Sequence, residues 1–254
     1  MFYFFLAYEL TCNWLLIASA VIPAIVLMIT VYRSDKLEKE DISFLVRLAF
    51  SGIAATFISM IIERIGSFIL GAAVWQGSPL YDIILYFVIV AFAEEGSKYA
   101  LLKKRTWNYA GFDCQFDAVV YSVFLSLGFA LWENISYVLH YGFGTALVRA
   151  VTAIPGHACF GVFMGVFYGL ARGHAYMRDE GRSKFFRVLA LVIPALIHGT
   201  YDYIATMQSY NGSWIFVAFI AVLFVISFIL IRRMSKNDRY FNADRHDFTF
   251  SGGR

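Results

Sequence analysis

Long apolar runs dominate the chain and alternate with short polar stretches. A helix needs about 20 mostly apolar residues to cross a bilayer, and seven runs have about that length. They are Thr11–Tyr32, Ile42–Ile62, Pro79–Leu102, Phe116–His140, Thr145–Ala171, Phe186–Met207 and Trp214–Ile231. A further piece, Ile65–Trp75, is too short to span and predicts an interfacial or re-entrant helix. The pattern therefore predicts an all-α, polytopic membrane helix bundle of about seven transmembrane helices.

Composition supports this interpretation. The chain is 60% hydrophobic and 15% charged, against about 25% charged residues in a soluble domain, and its mean hydropathy is +0.65. We expect one membrane domain over residues 1–232, with a catalytic core at about 79–208, and a polar tail over 233–254. The three cysteines form no CxxC pair, so neither a disulfide framework nor a structural zinc site is expected.

The positions of the basic residues predict the orientation. Cytoplasmic connections of membrane proteins are enriched in Lys and Arg, and 17 of the 21 basic residues here lie in alternate connections. Seven spans with the N-terminus outside and the C-terminus in the cytoplasm satisfy this rule. Because the basic residues serve as topological anchors, the net charge of +3 indicates no nucleic-acid partner; the predicted surroundings are the lipid bilayer of a cell membrane.

Ionisable residues inside apolar spans are costly and usually functional, and the cytoplasmic part of the third predicted span contains a group of three. Glu94 and Glu95 are adjacent, and Lys98 lies three to four residues later, where it can pair with either glutamate on a helix. If the lysine holds one carboxylate ionised, the other is suited to act as a general base or acid on water. An ion-paired helix end that reaches the interface is the structural alternative.

The fourth span carries Asp117 near its cytoplasmic end and Glu133 and Asn134 deep inside. Asp117 can simply cap the helix, and Asn134 can hydrogen-bond a neighbouring helix. Glu133 needs a charged partner, for which Arg149 is a candidate from across the outer connection.

The fifth and sixth spans each place a histidine after a proline. His157 follows Pro155-Gly156, where a kink is expected to expose it to water. His198 and Asp202 are four residues apart on one face, so the carboxylate can orient the imidazole. Counted from the cytoplasmic ends, the glutamates lie at about 10–12 Å and the histidines at about 18–21 Å. We therefore expect them to meet in one hydrated pocket.

The pattern of these buried polar residues resembles that of the PrsW intramembrane proteases, distant relatives of the CAAX prenyl endopeptidases. The resemblance covers roughly residues 91–202, and Ala118 departs from it, since the family often has glycine there. The matching motifs are Glu94-Glu95-Gly-Ser-Lys98, Phe116-Asp117 with Tyr121, Gly128-Phe129, Glu133-Asn134, His157 with Gly161, and His198 with Tyr201-Asp202.

The resemblance implies a bacterial intramembrane protease that makes the first cut in a membrane-anchored anti-sigma factor during envelope-stress signalling. It implies Glu94, Glu95 and His198 as catalytic residues with His157 beside them; Lys98, Asp117, Glu133, Asn134 and Asp202 are the expected supporting residues. A glutamate-based mechanism without a cofactor is favoured. Zinc held by His157, His198 and Glu95 is the alternative, although no HExxH motif is present.

The sequence leaves two other functions open. One is a CAAX-type or other peptide-processing membrane protease. The other is an ion-coupled transporter, which also buries carboxylates and breaks helices. A retinal-type receptor is excluded because the last span contains no lysine for a Schiff base.

Overall fold

The structure is a computed structural model that describes residues 2–207 and 210–241. The described residues form nine α-helices and one π-helical segment. The α-helices are α1 (Phe2–Ser34), α2 (Ile42–Ala73), α3 (Pro79–Ile83), α4 (Ala91–Thr106), α5 (Asp117–Tyr141), α6 (Phe143–Val151), α7 (Ala153–Tyr176), α8 (Glu180–Ala205) and α9 (Tyr210–Lys236), and the π-helix Ile84–Val90 joins α3 to α4. A polytopic helical bundle is therefore confirmed.

Six segments in this part of the chain are long and apolar enough to cross a membrane. They are α2, α5 and α8, the segments Ile17–Ser34 of α1 and Gly212–Lys236 of α9, and the α6–α7 stretch Leu147–Tyr176. The predicted third span is present as an unbroken helical run, in which α3, the π-helix and α4 follow one another without a gap. It is not among the six because it is divided by the π-helix and carries most of its charge in α4.

Two details of the prediction were wrong. The piece Ile65–Trp75 is not a separate element, since α2 continues to Ala73 and includes most of it. Because of the polar pair Glu63-Arg64, the prediction ended the second span at Ile62, whereas α2 ends at Ala73. A polar turn inside a long helix has the composition of a loop. The break in the fifth span lies at Thr152, between α6 and α7, and Pro155 occupies the first turn of α7.

Helix α5 forms the centre of the bundle and contacts α1, α2, α4, α6 and α7. Within its apolar window 72% of the residues are buried, against 17% in α9, which lies at the periphery. Close approach depends on glycine: a Cβ on Gly128 would lie 2.0 Å from the Ala49 carbonyl oxygen of α2. One on Gly165 would lie 2.5 Å from the Val119 Cα, so this glycine lets α7 pack closely against α5.

One end of the bundle is closed by three polar segments, residues 35–41, 107–116 and 237–241, which we call the loop face. The backbone N–H of Phe116 donates to Asp238 Oδ1 at 2.9 Å, and that of Phe241 donates to the Asp113 carbonyl at 2.8 Å. The predicted tail thus begins as the end of α9 and packs back on the bundle as far as Phe241; residues 242–254 lie outside the described residues. The orientation that places this face in the cytoplasm stays a prediction.

Candidate active site

Helix α4 presents three buried charges within one turn. Lys98 Nζ donates to Glu95 Oε1 at 2.7 Å and to Glu94 Oε2 at 3.3 Å, and the side chains of Glu95 and Lys98 are fully buried. The ammonium also lies 3.9 Å from the centre of the Phe129 ring, a cation–π contact. Lys98 therefore holds both glutamates together, as the i+3 and i+4 spacing predicted.

Helix α7 adds His157, whose two ring nitrogens both have partners. Nδ1 lies 3.1 Å from Lys98 Nζ and Nε2 lies 2.8 Å from Glu133 Oε2. An ammonium can only donate, so Nδ1 accepts and Nε2 carries the proton that is donated to Glu133. The ring is thereby fixed in one tautomer and connects Lys98 to Glu133.

Helix α8 adds His198 from the opposite side of the cluster. Its Nδ1 lies 2.9 Å from Glu95 Oε1, and a carboxylate can only accept, so Nδ1–H is the donor. Nε2 lies 3.4 Å from Asp202 Oδ2 and 3.9 Å from Glu94 Oε2. His198 also stacks on Phe160, with 4.6 Å between the ring centres, which fixes the orientation of the imidazole.

Glu133 is anchored by a second cation. Arg149 of α6 forms an ion pair with it at 2.9 Å and donates through Nε to Asn134 Oδ1 at 3.0 Å. Both charged side chains are largely buried, and the guanidinium stacks 3.8 Å from the centre of the Tyr137 ring. Arg149 is thus the partner that the sequence suggested for Glu133.

These groups border a cavity of about 470 Å³. Glu94 is part of its wall, together with His157, His198, Glu133 and Asp202. The remaining lining includes residues near the helix ends opposite the loop face, namely Glu63, Ser136, Tyr137, Arg149 and Thr206. The charged cluster and its cavity therefore lie toward the face opposite the loop face, deep enough that the glutamates remain buried.

Two parts of the cavity wall were missed by the sequence analysis. Glu63 of α2 was assigned to a connection, although an acidic residue within a longer apolar run could have signalled it. The π-helix contributes Tyr86 and Val90, and nothing in its aliphatic sequence distinguishes it from an α-helix. π-Helical turns are frequent at functional sites, and this one packs so closely on α8 that a Cβ on Gly199 would lie 3.0 Å from the Phe87 Cα.

The predicted site residues fall into two groups. Eight of them come together around the cavity: Glu94, Glu95, Lys98, Glu133, Asn134, His157, His198 and Asp202. Asp117 does not join them, because it lies at the first turn of α5 on the loop face. Its Oδ2 accepts there from the backbone N–H groups of Cys114 at 2.7 Å and Asp113 at 3.2 Å.

The donor atoms of the cluster fit a divalent metal ion in type and spacing. One atom each from Glu94, Glu95 and His157 lie within 4.8 Å of one another. The sequence analysis named His198 as the third ligand beside Glu95 and His157, and in the structure Glu94 takes that place. His157 bonds a carboxylate through its other nitrogen, as metal-bound histidines do. Among the described residues, Glu95 Oε2 is buried without a hydrogen-bond partner. Lys98 Nζ lies among the three donors, however, so an ion here would take the place of the ammonium.

A family model described as PrsW family intramembrane metalloprotease matches residues 40–231. The chain belongs to the PrsW family. Protease PrsW of Bacillus subtilis (strain 168) is 33% identical over 201 residues, which are 79% of this chain and 86% of that protein. Protease PrsW of Halalkalibacterium halodurans is 29% identical over 224 residues, covering 88% of this chain and 99% of the relative. No solved structure matches the chain.

Membership in the PrsW family makes the chain an intramembrane protease, a peptidase of the cell membrane that crosses it several times. A membrane-embedded protein is accordingly its substrate. The transporter alternative is set aside. The description of the PrsW family as metalloproteases matches the donor set of Glu94, Glu95 and His157 in type.

Proposed function

We propose that this protease makes the first, activating cut in a membrane-anchored anti-sigma factor during envelope-stress signalling, with Glu94 as the general base. The observation that carries the mechanism is the position of Glu94 in the cavity wall, beside His198 and tethered to the buried Lys98. The stress-signalling role rests on the family resemblance. With the loop face in the cytoplasm, the position of the cavity away from that face supports a cut in the outer part of the substrate.

The reaction begins with a water molecule between Glu94 and the scissile carbonyl. Glu94 takes a proton from the water as its oxygen bonds to the carbonyl carbon, and the carbonyl oxygen becomes an oxyanion. The proton then passes from Glu94 to the amide nitrogen as the carbon–nitrogen bond breaks. The products are a carboxyl group and an amine, and the glutamate returns to its ionised form.

His198 is suited to stabilise the oxyanion. Its Nδ1–H is fixed on Glu95, so Nε2 is the atom that faces Glu94 and Asp202 at the cavity. An imidazolium at this place has three carboxylates around it, and its Nε2–H donates to the developing negative charge. Such preorganised donors contribute much of the rate enhancement of hydrolases.

Three residues, Glu95, Lys98 and His157, hold the base Glu94 and the oxyanion donor His198 in place. Glu95 bonds both Lys98 and His198 through one oxygen, and His157 fixes the lysine from the other side. Because Glu95 is fully buried and does not line the cavity, we assign it a positioning role. Should a divalent ion replace the ammonium, Glu94, Glu95 and His157 would hold it, and it would supply Lewis-acid activation of water.

The decisive experiment is cleavage of a single-span anti-sigma factor by the purified enzyme, with and without a chelator. We expect cleavage that survives chelation and is lost in Glu94→Gln, while the surface variant Glu180→Gln cleaves like the parent. Metal content is measured in parallel on the parent and on Lys98→Met. One bound ion per parent chain, with chelation abolishing cleavage reversibly, would replace the glutamate mechanism by a metal-dependent one. Failure to cut any anti-sigma factor, with other membrane proteins cut, would overturn the substrate assignment alone.

The side of the membrane is tested separately. Single cysteines placed at Arg182 and Lys236, in a background without native cysteines, should resist an impermeant thiol reagent in intact cells. A cysteine at Trp75, beyond the end of α2, should be labelled. Labelling of the first two positions would reverse the orientation and with it the proposed side of cleavage.

A further inference from the structure

The loop face contains a second group of ionisable side chains that the proteolytic mechanism does not use. Its members are five carboxylates from separate parts of the chain, which we call the acidic cluster: Asp35, Glu40, Asp113, Asp117 and Asp238. They come from the connection after α1, the connection before α5, the first turn of α5, and the segment after α9. The fold therefore brings together carboxylates that are distant in sequence.

Asp35 is the most unusual member. It is 1% exposed, and neither of its carboxylate oxygens has a hydrogen-bond partner among the described residues. The nearby Lys39 donates to the backbone carbonyls of Tyr32 and Asp35 instead of to this carboxylate. A buried carboxylate without a partner is costly, and here it lies within repulsive range of Asp117, Glu40 and Asp238.

Two other members are held in place by backbone donors. Asp117 Oδ2 accepts from the N–H groups of Asp113 and Cys114, and Asp238 Oδ1 accepts from Phe116 N–H at 2.9 Å. The second oxygen of Asp238 is buried and, within the described part of the chain, has no partner. The backbone therefore orients these carboxylates without neutralising their charge.

The electrostatics show that the cluster is short of positive charge. Burial raises the pKa of Asp35 to about 6, opposed by Lys39 and reinforced by Asp238. Burial raises the pKa of Glu40 to about 7, with repulsion from Asp35 adding to the shift. The carboxylates therefore repel one another, while the Lys39 ammonium bonds backbone carbonyls and leaves the Asp35 oxygens without a hydrogen-bond partner among the described residues, so a bound cation would relieve the repulsion.

We infer that the acidic cluster is a binding site for one hard divalent cation, Mg²⁺ or Ca²⁺, separate from the active site. Carboxylate oxygens from several chain segments are the ligands that both ions prefer. Cys114 also lies here, with its sulfur within 4.8 Å of oxygens of Asp113 and Asp117. This single sulfur is outnumbered by the carboxylates of the cluster, and carboxylate oxygens suit Mg²⁺ and Ca²⁺ better than zinc.

A cation at this position would tie the two ends of the bundle to its centre. Asp35 follows α1, Asp238 follows α9, and Asp117 begins the central helix α5. Hydrogen bonds already join these segments, including Tyr240 OH to Glu38 Oε2 at 2.9 Å. Since the ion binds the folded arrangement and not the separated segments, it should stabilise the fold in proportion to its concentration above the dissociation constant.

The test uses the full chain in detergent, in a Glu94→Gln/Glu95→Gln background that removes the carboxylates of the active-site cluster as competing ligands. Binding of Tb³⁺ is followed by its sensitised luminescence, for which Tyr121 and Tyr240 are suitable donors beside the cluster. Mg²⁺ and Ca²⁺ then compete separately, and thermal unfolding is recorded with each ion and with a chelator at pH 8. We expect saturable binding of one Tb³⁺ per chain, its displacement by one of the two ions, and a higher Tm with that ion.

Asp35→Asn removes the unpartnered charge and supplies the decisive comparison. It should abolish Tb³⁺ binding and the cation-dependent rise in Tm, while the chelated variant melts at a higher temperature than the chelated parent. Asp41→Asn is the matched control, since Asp41 is exposed, neighbours Glu40 and caps α2 through Ser43 N–H, a role that asparagine also fulfils. It should bind like the parent.

Other results would overturn the proposal. They are unchanged binding in Asp35→Asn, equal loss in Asp41→Asn, or no binding unless Glu94 and Glu95 are restored. If Asp35→Asn is not monodisperse, Asp238→Asn replaces it, with the same loss of binding expected. Neither variant touches the active-site cavity, so a failure here leaves the proposed proteolytic function unaffected.

Discussion

The two carboxylate clusters of this protein differ in how their negative charge is balanced. Around the cavity, Glu94 and Glu95 share Lys98, and Glu133 pairs with Arg149, so the positive charges come from the chain itself. On the loop face, five carboxylates gather near Lys39, and the Asp35 oxygens have no hydrogen-bond partner among the described residues.

The difference follows from the surroundings of each cluster. At membrane depth neither water nor dissolved ions are freely available, so an ionised side chain must be paired within the protein. At the loop face the counterion can come from solution, and the cluster can therefore be assembled without built-in cations. A site of the first kind carries its own counterions, whereas one of the second kind responds to pH and ion concentration.

The largest expected effect concerns the two adjacent glutamates. Glu94→Gln should reduce kcat at least about 10²–10⁴-fold, the contribution of a general base, with little change in thermal stability. Glu95→Gln should also lose activity but melt at a lower temperature, because it weakens the pairing of the fully buried Lys98. Cleavage rates and unfolding curves of both variants check this. Wild-type cleavage by either folded variant would refute the assignment.

His198→Ala tests the oxyanion donor. Loss of one such donor costs on the order of 10²–10³ in kcat, and KM should change less because the interaction forms in the transition state. His140→Ala is the control, since that side chain is exposed and bonds only the backbone of its own helix among the contacts described. A change confined to KM would instead indicate that His198 binds substrate.

The Glu133–Arg149 pair tests whether the membrane cluster depends on built-in cations. Arg149→Met should lower the free energy of unfolding by about 3–5 kcal/mol, because it leaves a buried carboxylate without its main partner. The double variant with Glu133→Gln should recover much of the loss. Arg47→Met breaks an exposed pair with Asp41, 3.9 Å apart, and should cost less than about 1 kcal/mol. Equal effects at the two sites would remove the distinction.

The smallest effect is the pH dependence that the acidic cluster adds in chelator. The raised pKa values of Asp35 and Glu40 mean that the folded state binds more protons than the unfolded state between about pH 4 and 7. Stability from these groups is therefore complete below their ordinary pKa values of 3.8 and 4.5, and it is lost as the pH rises through about 6 to 7. The charged or titratable groups described around them include Lys39, Tyr109, Asp113, Asp117, Tyr121 and Asp238.

The measurement is Tm against pH in chelator for the parent and for Asp35→Asn. The parent should lose more stability than the variant between pH 5 and pH 8, at about 2–4 °C for each kcal/mol in a chain of this size. Added divalent cation should raise the parent's Tm at pH 8 and have little effect at pH 5. Parallel curves for the two proteins would contradict the proposed charge state of Asp35.

The sequence by itself determined the helical bundle and most of the active-site cluster. A long hydrophobic run predicts a membrane helix, because backbone groups without hydrogen bonds are too costly in lipid. Charged residues within such a run are rare and therefore indicate functional positions. The i+3 and i+4 spacing from the glutamates to Lys98 set their pairing before any fold was known. The same approach failed at Glu63, because the end of α2 was misplaced.

Only the tertiary structure decided how the helices divide these charges between two sites. Asp117 lies on the same helix as Glu133, yet it joins carboxylates from the connections at the opposite end of the bundle. Packing between segments distant in sequence also sets three other features. They are the contact of Lys98 with His157 of α7, the π-helix beside α8, and the absence of a hydrogen-bond partner for Asp35 among the described residues. Helical periodicity relates residues within one turn or a few turns, whereas the approach of separate helices depends on glycine contacts and side-chain volumes.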